Sequence, residues 1–566
     1  MTGARRGSGF ALALLGGALL AAATPPAVFP GAEFLVLVGL AAWFALARDT
    51  RRSWWCSYLL GCVHMAWFSW SIHHVMWPAY VAIVVLGGGY FVLGTAALRA
   101  VPRRGQALAF GVVVAGSFWL RASVPAIHYP HGQPCHCLWQ WPVLLGSVTV
   151  GGEGLANALL GWLAASLGEL WQGWRIGAPS WRAARRRGAL ALAAAFVATG
   201  AGCAVAFLSG SATAPSSDGP PPASLVLVEP GLHSFDYLRG LPETFEERLR
   251  RPTQSLLLEG LGDVPRVPRP GDPPRPDRTL VLWPESSIPV TIPVDEIANG
   301  TARLLADKLT PLATAPRRLL LGINVERAGR ETPAAVLVDL ETGKVLGHQE
   351  KRCLVPGGEF IPLLHLLPQS VVDWARGVFE EALGSMPDLE PGRELPLLHT
   401  IDGTPFGTLL CYDNAFPGPA ADQVAAGARF LCVLSNESWY RGGGELTQLM
   451  AMTVCRALET GTPIVRCTTD GWSGVVGADG RLREQLPILP SPTTAARNLV
   501  VHLEPGPGRL PPLAWLRAAT GPLAALLLGL ALLHGVWRWA RLRVARTAPA
   551  AAGGPGRPGS APASGS

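Results

Sequence analysis

Eight apolar segments, separated by loops in which arginine crowds into every second one, constrain this chain more than any other feature. They run at about 10–27, 34–47, 55–71, 80–98, 107–120, 154–170 and 189–209, with an eighth near 520–537. Several fall short of the ~20 residues that span a bilayer, so buried or re-entrant helices are the alternative. Loop charge argues for spanning. Arg5 and Arg6 precede the first segment, and Arg48, Arg51 and Arg52 follow the second. Arg99, Arg103 and Arg104 follow the fourth; Arg175, Arg182, Arg185, Arg186 and Arg187 the sixth; Arg538, Arg541, Arg543 and Arg546 the eighth. The alternate loops hold almost none, Arg121 being the exception. Positive charge stays on the cytoplasmic side, which predicts cytoplasmic termini and puts the long stretch between the seventh and eighth segments on the far side. The first segment ends Ala21-Ala22-Ala23 and so also reads as a cleavable signal, but the second follows so closely through Pro25 and Pro26 that the pair reads as an uncleaved helical hairpin.

Composition agrees. Of 566 residues 49% are hydrophobic and only 15% charged, too apolar for an ordinary soluble enzyme of this length. The formal charge of +7 would invite a nucleic-acid partner, but the arginines sit in short inter-segment loops, and no such partner is expected. Ten cysteines without repeated spacing indicate neither a disulfide framework nor a zinc module. Lysine is confined to Lys308, Lys344 and Lys351, so each raises the question of why it is not arginine.

The expected organisation is a seven-helix bundle over 1–210, a Ser/Ala/Pro/Gly linker at 211–223, a catalytic domain over 224–510, a last helix with a basic end at 511–546, and a disordered low-complexity tail at 547–566. Within the long domain, strand-like runs recur at 224–228, 279–282, 318–323, 335–340, 407–411, 430–434, 464–467 and 499–503, with helical stretches at 295–309 and 444–460. That alternation predicts an α/β sheet covered on its faces. The proline- and arginine-rich stretch 263–278 reads as a surface insertion.

Three stretches look poised for chemistry. In Gly407-Thr-Leu-Leu-Cys-Tyr-Asp-Asn-Ala-Phe-Pro417 an apolar run ends on Cys411 before a proline-closed turn, a layout that lets a sulfur face a cleft at a strand end. A buried packing thiol is the plain alternative, so Cys411 needs partners. In Leu280-Val-Leu-Trp-Pro-Glu-Ser-Ser-Ile-Pro289 four apolar residues run through Pro284 into Glu285. In Lys351-Arg-Cys-Leu-Val-Pro-Gly-Gly-Glu-Phe360 a rare lysine precedes a strand-like Cys353-Leu354-Val355 and a turn ending in Glu359. Singly, the last two read as surface charge.

Together the three resemble the nitrilase superfamily, whose glutamate, lysine and cysteine come in that chain order at strand ends. The resemblance narrows to the apolipoprotein N-acyltransferases of bacterial inner membranes, with an αββα nitrilase-like sandwich between seven helices and a last one. It is carried by Pro25-Pro26, 67–72, Trp119-Leu120-Arg121, Trp283-Pro284-Glu285, Lys351 with Leu354-Val355-Pro356 and Gly358-Glu359, Cys411-Tyr412, Phe416-Pro417, Asn436, Ser438-Trp439, Arg456-Ala457-Leu458-Glu459, Pro463 and Arg466. It implies a multi-pass inner-membrane enzyme with a periplasmic catalytic domain, which moves an acyl chain from a phospholipid, through a cysteine thioester, to the α-amino group of a diacylated apolipoprotein. A monomer is expected, and the chemistry needs no metal or organic cofactor. A membrane-anchored amidase on small carbon-nitrogen substrates, or a silent scaffold in lipoprotein assembly, would keep the same fold.

The resemblance gives each residue a task. A thiol with pKa ~8.5 is a weak nucleophile until a base takes its proton or a cation favours the thiolate. Glu285 is the candidate base, Lys351 with a backbone N–H near Tyr412 the oxyanion holder, Glu359 the carboxylate that orients the lysine or caps the turn, and Asp413 a supporting group. Asp413 stands where the family usually has glutamate, Phe118 where a glutamate commonly precedes Trp-Leu-Arg, and Leu449 where a histidine often follows Gln448. No tryptophan lies between Ser211 and Leu282, and Phe235 or Tyr237 are the candidates to replace the family's early aromatic. The apolar stretch from Phe360 through Leu363, Leu366 and Leu367 to Trp374 and Phe379 reads as an arm facing the bilayer. His128, His131, Cys135, His136 and Cys137 share one loop whose spacing fits no standard zinc pattern, so a disulfide or loop packing is expected there. Cys353, Cys432, Cys455 and Cys467 are expected to be packing thiols.

Overall fold

The computed structural model describes residues 4–49, 53–125, 127–176, 181–211, 223–230, 279–288, 291–299, 317–383, 387–393, 396–488 and 497–547. The insertion at 263–278, Phe235, Tyr237, Lys308, most of the expected linker and the tail after Thr547 lie outside them.

Every apolar segment has become a helix: α1 (Ala4–Ala23), α2 (Leu35–Asp49), α3 (Ser53–Phe68), α4 (Trp77–Ala100), α5 (Gln106–Ser123), α6 (Gly146–Ile176) and α7 (Trp181–Ser211), with the eighth near the C-terminus. Among the described residues four helical stretches are long and apolar enough to cross a membrane: Trp77–Ala100, Arg103–Ser123, Arg185–Val205 and Ala514–Arg543. The bundle interior is aromatic, with Trp43 packed against Phe91 and Phe110 at centroid distances of 4.6 and 5.1 Å. Its outside is apolar too: Phe196 is 80% exposed and Leu533 68%. Such a surface suits lipid rather than water. Small residues let the last helix cross its neighbours closely. A Cβ on Gly116 would lie 2.7 Å from the Ala524 carbonyl, and one on Gly154 2.8 Å from the Gly521 nitrogen.

The strands form two sheets. Labelled in chain order they are β1 (Ala223–Glu229), β2 (Thr279–Leu282), β3 (Thr291–Pro293), β4 (Arg317–Arg327), β5 (Arg330–Asp339), β6 (Val345–Glu350), β7 (Leu398–His399), β8 (Pro405–Leu410), β9 (Leu431–Ser435), β10 (Ile464–Thr468), β11 (Gly474–Val476), β12 (Leu482–Gln485) and β13 (Arg497–Leu503). Among the described residues the first sheet has the order β13-β1-β2-β4-β5-β6, with β3 added alongside β4, and the second β12-β11-β10-β9-β8-β7. Alternate residues of β1 face opposite ways: Leu225 and Leu227 join the core between the sheets, Val226 and Val228 the core on the far face. Burial on both faces explains why such strands read as continuous apolar runs. From the second sheet Phe406, Leu410, Phe430, Leu434 and Val465 complete the inter-sheet layer.

Helices α9 (Pro417–Ala425) and α10 (Glu445–Thr460) cover the outer face of the second sheet, and their core runs on without a break into the bundle. Of the expected helix at 295–309 only 295–299 lies within the described residues, and 295–298 of it is helical. One stretch departs from expectation. Cys353-Leu354-Val355 is not a strand, because the Arg352 and Cys353 N–H groups donate to the Asp413 carboxylate (3.1 and 2.7 Å) and not to a neighbouring strand. The lysine instead directly follows β6, a strand the sequence did not announce.

Candidate active site

Strand direction gathers the candidate residues. β2 and β4 are parallel, and β5 runs antiparallel to both β4 and β6. β6 therefore points the same way as β2, and the C-terminal ends of both open on one edge, where Glu285 and Lys351 sit. Trp283 N–H still bonds the Leu320 carbonyl at 2.8 Å, after which the chain crosses over β4 at Gly322. A Cβ there would stand 2.5 Å from Glu285 Cα, so only glycine permits the crossing. From the facing sheet, β8 delivers Cys411 to the same place.

Lys351 is completely buried. Its ammonium donates to Glu285 Oε1 at 2.9 Å and to Glu359 Oε1 at 2.5 Å. Two of its three donors are thus fixed, leaving one for a ligand. Burial alone would push the lysine pKa down, but Glu285, Glu359 and the neighbouring Cys411 carry it well above the ordinary value, so it stays charged. Glu285 takes a second hydrogen bond from the Asn436 N–H, 3.2 Å from Oε2. Glu359 performs both tasks weighed for it, holding the lysine with one oxygen and accepting the Val355 N–H with the other at 2.8 Å. Burial raises its pKa, with the lysine opposing.

Cys411 is 8% exposed and begins a tight 3₁₀ turn, Cys411–Ala415, with its own backbone at φ +45°. A non-glycine residue held in that region costs on the order of 1 kcal/mol, and such strain collects at functional sites. Burial drives the thiol pKa up; Glu285 and Glu359 add to the rise, and Lys351 and the Ser435 hydroxyl only partly oppose it. The lysine does favour the thiolate, as expected, but the net direction is upward. The resting sulfur is a protonated thiol that a base has to open in step with attack.

Asp413 resolves the question that its shorter side chain raised. Oδ1 accepts the Arg352 and Cys353 N–H groups and Oδ2 the Leu410 N–H at 3.2 Å, so it ties the segment after the lysine to the turn carrying the cysteine. Its burial raises the pKa to about 6, with Lys351 and the three N–H groups opposing. Tyr412 faces the bundle: its hydroxyl donates to the His128 carbonyl at 3.0 Å, and His128 Nε2–H donates to the Leu354 carbonyl at 3.1 Å. The loop between α5 and α6 therefore lies against the nucleophile's turn. Leu449 is buried, and its carbonyl accepts the Asn414 side-chain N–H at 3.0 Å. Phe118 is buried with the Arg121 guanidinium 4.7 Å from its ring.

Asn436 is the group whose role was not foreseen. In the sequence it entered only among the residues that carry the resemblance, with no task attached, although it stands where an apolar strand, β9, runs out, the same signal that marked Cys411. The arm carries a second helix, α8 (Gln369–Leu383), whose Ala375 and Phe379 bury against Met76 and Ala79 at the start of α4. Leu366 and Trp374 point outward at 67% and 62% exposure. Cys135 and Cys137 are both free thiols, so the disulfide weighed for their loop is not present, and Cys455 lies against Cys135 and His136 rather than merely packing.

Comparison with known proteins finds relatives for both parts of the chain. Residues 16–166 match the apolipoprotein N-acyltransferase N-terminal domain, and 275–489 match the carbon-nitrogen hydrolase family. The chain is 28% identical over 213 residues to the apolipoprotein N-acyltransferase of Geobacter metallireducens, covering 37% of this chain and 38% of that protein. It is 30% identical over 272 residues to that of Azotobacter vinelandii (48% and 47%), and 28% identical over 447 residues to that of Sinorhizobium medicae (76% and 73%). The matched stretch thus spans less than half the length of the first two relatives. A solved amidase from Nesterenkonia sp. aligns over 50% of this chain and 91% of its own at 18% identity and a TM-score of 0.32. The chain thus carries an apolipoprotein N-acyltransferase N-terminal domain followed by a carbon-nitrogen hydrolase domain, and the relatives it matches along these stretches are apolipoprotein N-acyltransferases.

Proposed function

We propose that this protein transfers a fatty acyl chain from a phospholipid to the α-amino group of the N-terminal diacylglyceryl-cysteine of apolipoproteins, with Glu285, Lys351 and Cys411 as the catalytic set. One observation carries the reading: a wholly buried ammonium held between two carboxylates, beside a strand-end thiol whose turn touches the membrane-helix loop. Glu285 takes the Cys411 proton as the sulfur attacks the ester carbonyl. The free donor of Lys351, with the Tyr412 backbone N–H, stabilises the oxyanion, and Glu285 returns the proton to the departing lysophospholipid alkoxide. The acceptor amine then attacks the thioester, losing its proton to Glu285, and the thiol leaves with an amide formed. Lysine suits the post because a compact ammonium can turn its third donor toward a developing charge while the other two stay bound.

All eight helices span the bacterial inner membrane in this reading, with the sheet domain on the periplasmic side and the divisions at 210, 223, 510 and 546. The outward Leu363, Leu366, Leu367 and Trp374 form the bilayer-facing arm by which acyl chains enter. Replacing the three leucines with serine should reduce turnover of long-chain phospholipid at least about tenfold while sparing a short soluble ester, given ~0.8 kcal/mol per buried methylene. Equal loss on both removes the arm from the account.

The reading is tested by incubating purified protein with phospholipid and a diacylated lipopeptide bearing a free N-terminus. Lysophospholipid and N-acylated peptide should appear in equal amounts. Free fatty acid with no amide would mean a hydrolase.

A further inference from the structure

A second buried cluster plays no part in acyl transfer. Cys135 and His136 lie in the turn Pro134–Leu138 between α5 and α6, and Cys455 lies on α10 of the sheet domain. Both sulfurs and one His136 ring nitrogen lie within 4.8 Å of one another, and all three side chains are completely buried. His136 Nε2 is 3.0 Å from Glu153 Oε1, while Nδ1 is buried with no hydrogen-bond partner. The turn is held in place from outside the cluster: Cys135 N–H donates to Asn157 Oδ1 at 2.9 Å, and Asn157 Nδ2 donates to Gln133 Oε1 at 2.9 Å.

We propose that Cys135, His136 and Cys455 bind a divalent cation of the zinc class, with Glu153 orienting the histidine, and that the ion clamps the α5–α6 loop to α10. Two thiols and an imidazole are the donors such an ion selects over calcium or magnesium. A histidine whose second nitrogen is held by a carboxylate is the usual support for a metal-bound imidazole. Charge also balances. A divalent ion with two thiolates is neutral, as complete burial requires. The ligands escape a spacing search because Cys135 and His136 are adjacent and the third comes from another domain. The same loop carries His128 and Tyr129, so the clamp fixes the wall against which Tyr412 rests.

The full chain, purified in detergent under reducing conditions, is loaded with zinc sulfate and freed of loose ions over a chelating resin. Elemental mass spectrometry should find about one zinc per chain, and X-ray absorption at the zinc edge should find two sulfurs at about 2.3 Å. Cys455→Ser and His136→Ala should each weaken retention at least about tenfold. Cys137→Ser should keep the ion, since Cys137 lies instead against Thr24. A shell without sulfur, retention under about a tenth of an ion per chain in wild type, or a Cys135–Cys455 disulfide in a non-reducing digest of the reduced and loaded protein would each overturn the proposal.

Discussion

Two buried clusters in this chain each set one cation between two carboxylates, and they use different cations. At the strand ends Lys351 sits between Glu285 and Glu359. At the seam between sheet domain and bundle Arg456, also completely buried, pairs with Glu153 of α6 at 2.5 Å and Glu459 at 2.9 Å. The seam is made possible by a break in α6: Gly152 at φ +66° swings Glu153 toward α10, where its own N–H also reaches Glu459 at 3.3 Å. Arginine spends a rigid fork on joining elements that are distant in sequence. Lysine keeps a donor in reserve, and its carboxylates are in turn fixed by main-chain N–H groups from Asn436 and Val355. Cation identity thus separates the proposed reacting centre from a joint, and the scarcity of lysine had already raised the question of why Lys351 is not arginine.

Exchanging the cations should break the comparison most sharply. Lys351→Arg retains the charge but has no room and no spare compact donor, so kcat should fall about 10²–10³-fold, as for loss of an oxyanion donor. The protein should still fold, and thermal unfolding in detergent should show it. Wild-type turnover in this variant would mean that charge alone suffices. The reverse outcome is expected at the seam. Arg456→Leu deprives Glu153 and Glu459 of the buried guanidinium they share and should cost about 3–5 kcal/mol of stability. Turnover per folded molecule should fall less than about tenfold, since no reacting group is touched. A loss at unchanged stability would move Arg456 into the catalytic machinery.

Much of this was legible from the residues. The eight apolar segments, the buried strands and the Glu285, Lys351 and Cys411 stretches could be read because each is a local pattern: an apolar run, then a turn, then a chemically capable side chain. The short outer strands β7, β11 and β12 were not, since two to four residues carry too little periodicity to register. Cys353-Leu354-Val355 looked like a strand on side chains alone, and the deciding fact, an aspartate sixty residues on that captures its N–H groups, is non-local. Cys455 read as packing for the same reason, its neighbours lying in a loop of the other domain. Asp413 shows the converse: one methylene shorter than the family's glutamate, it still meets three N–H groups because the turn itself is tight.

The smallest expected effect is one of pH, and it also belongs to the seam. Glu445, at the start of α10, is completely buried with both carboxylate oxygens unpartnered, and burial raises its pKa to about 8. The folded state therefore holds a proton that the unfolded chain releases near the ordinary carboxylate value. Its contribution to stability is full below that value and is lost as pH rises through about 8. The unfolding temperature should drop between about pH 5 and 8 in wild type, and drop less in Glu445→Gln. Identical slopes would mean that the carboxyl is already ionised and paired.

The central claim is a covalent one, that the acyl chain rests on Cys411 between donor and acceptor. Purified protein incubated with phospholipid and no acceptor, then examined by intact mass, should gain one fatty-acyl group on Cys411 that hydroxylamine removes, and Cys411→Ala should gain none. An unmodified wild type under conditions where a thioester survives, or an adduct that persists in Cys411→Ala, would contradict it.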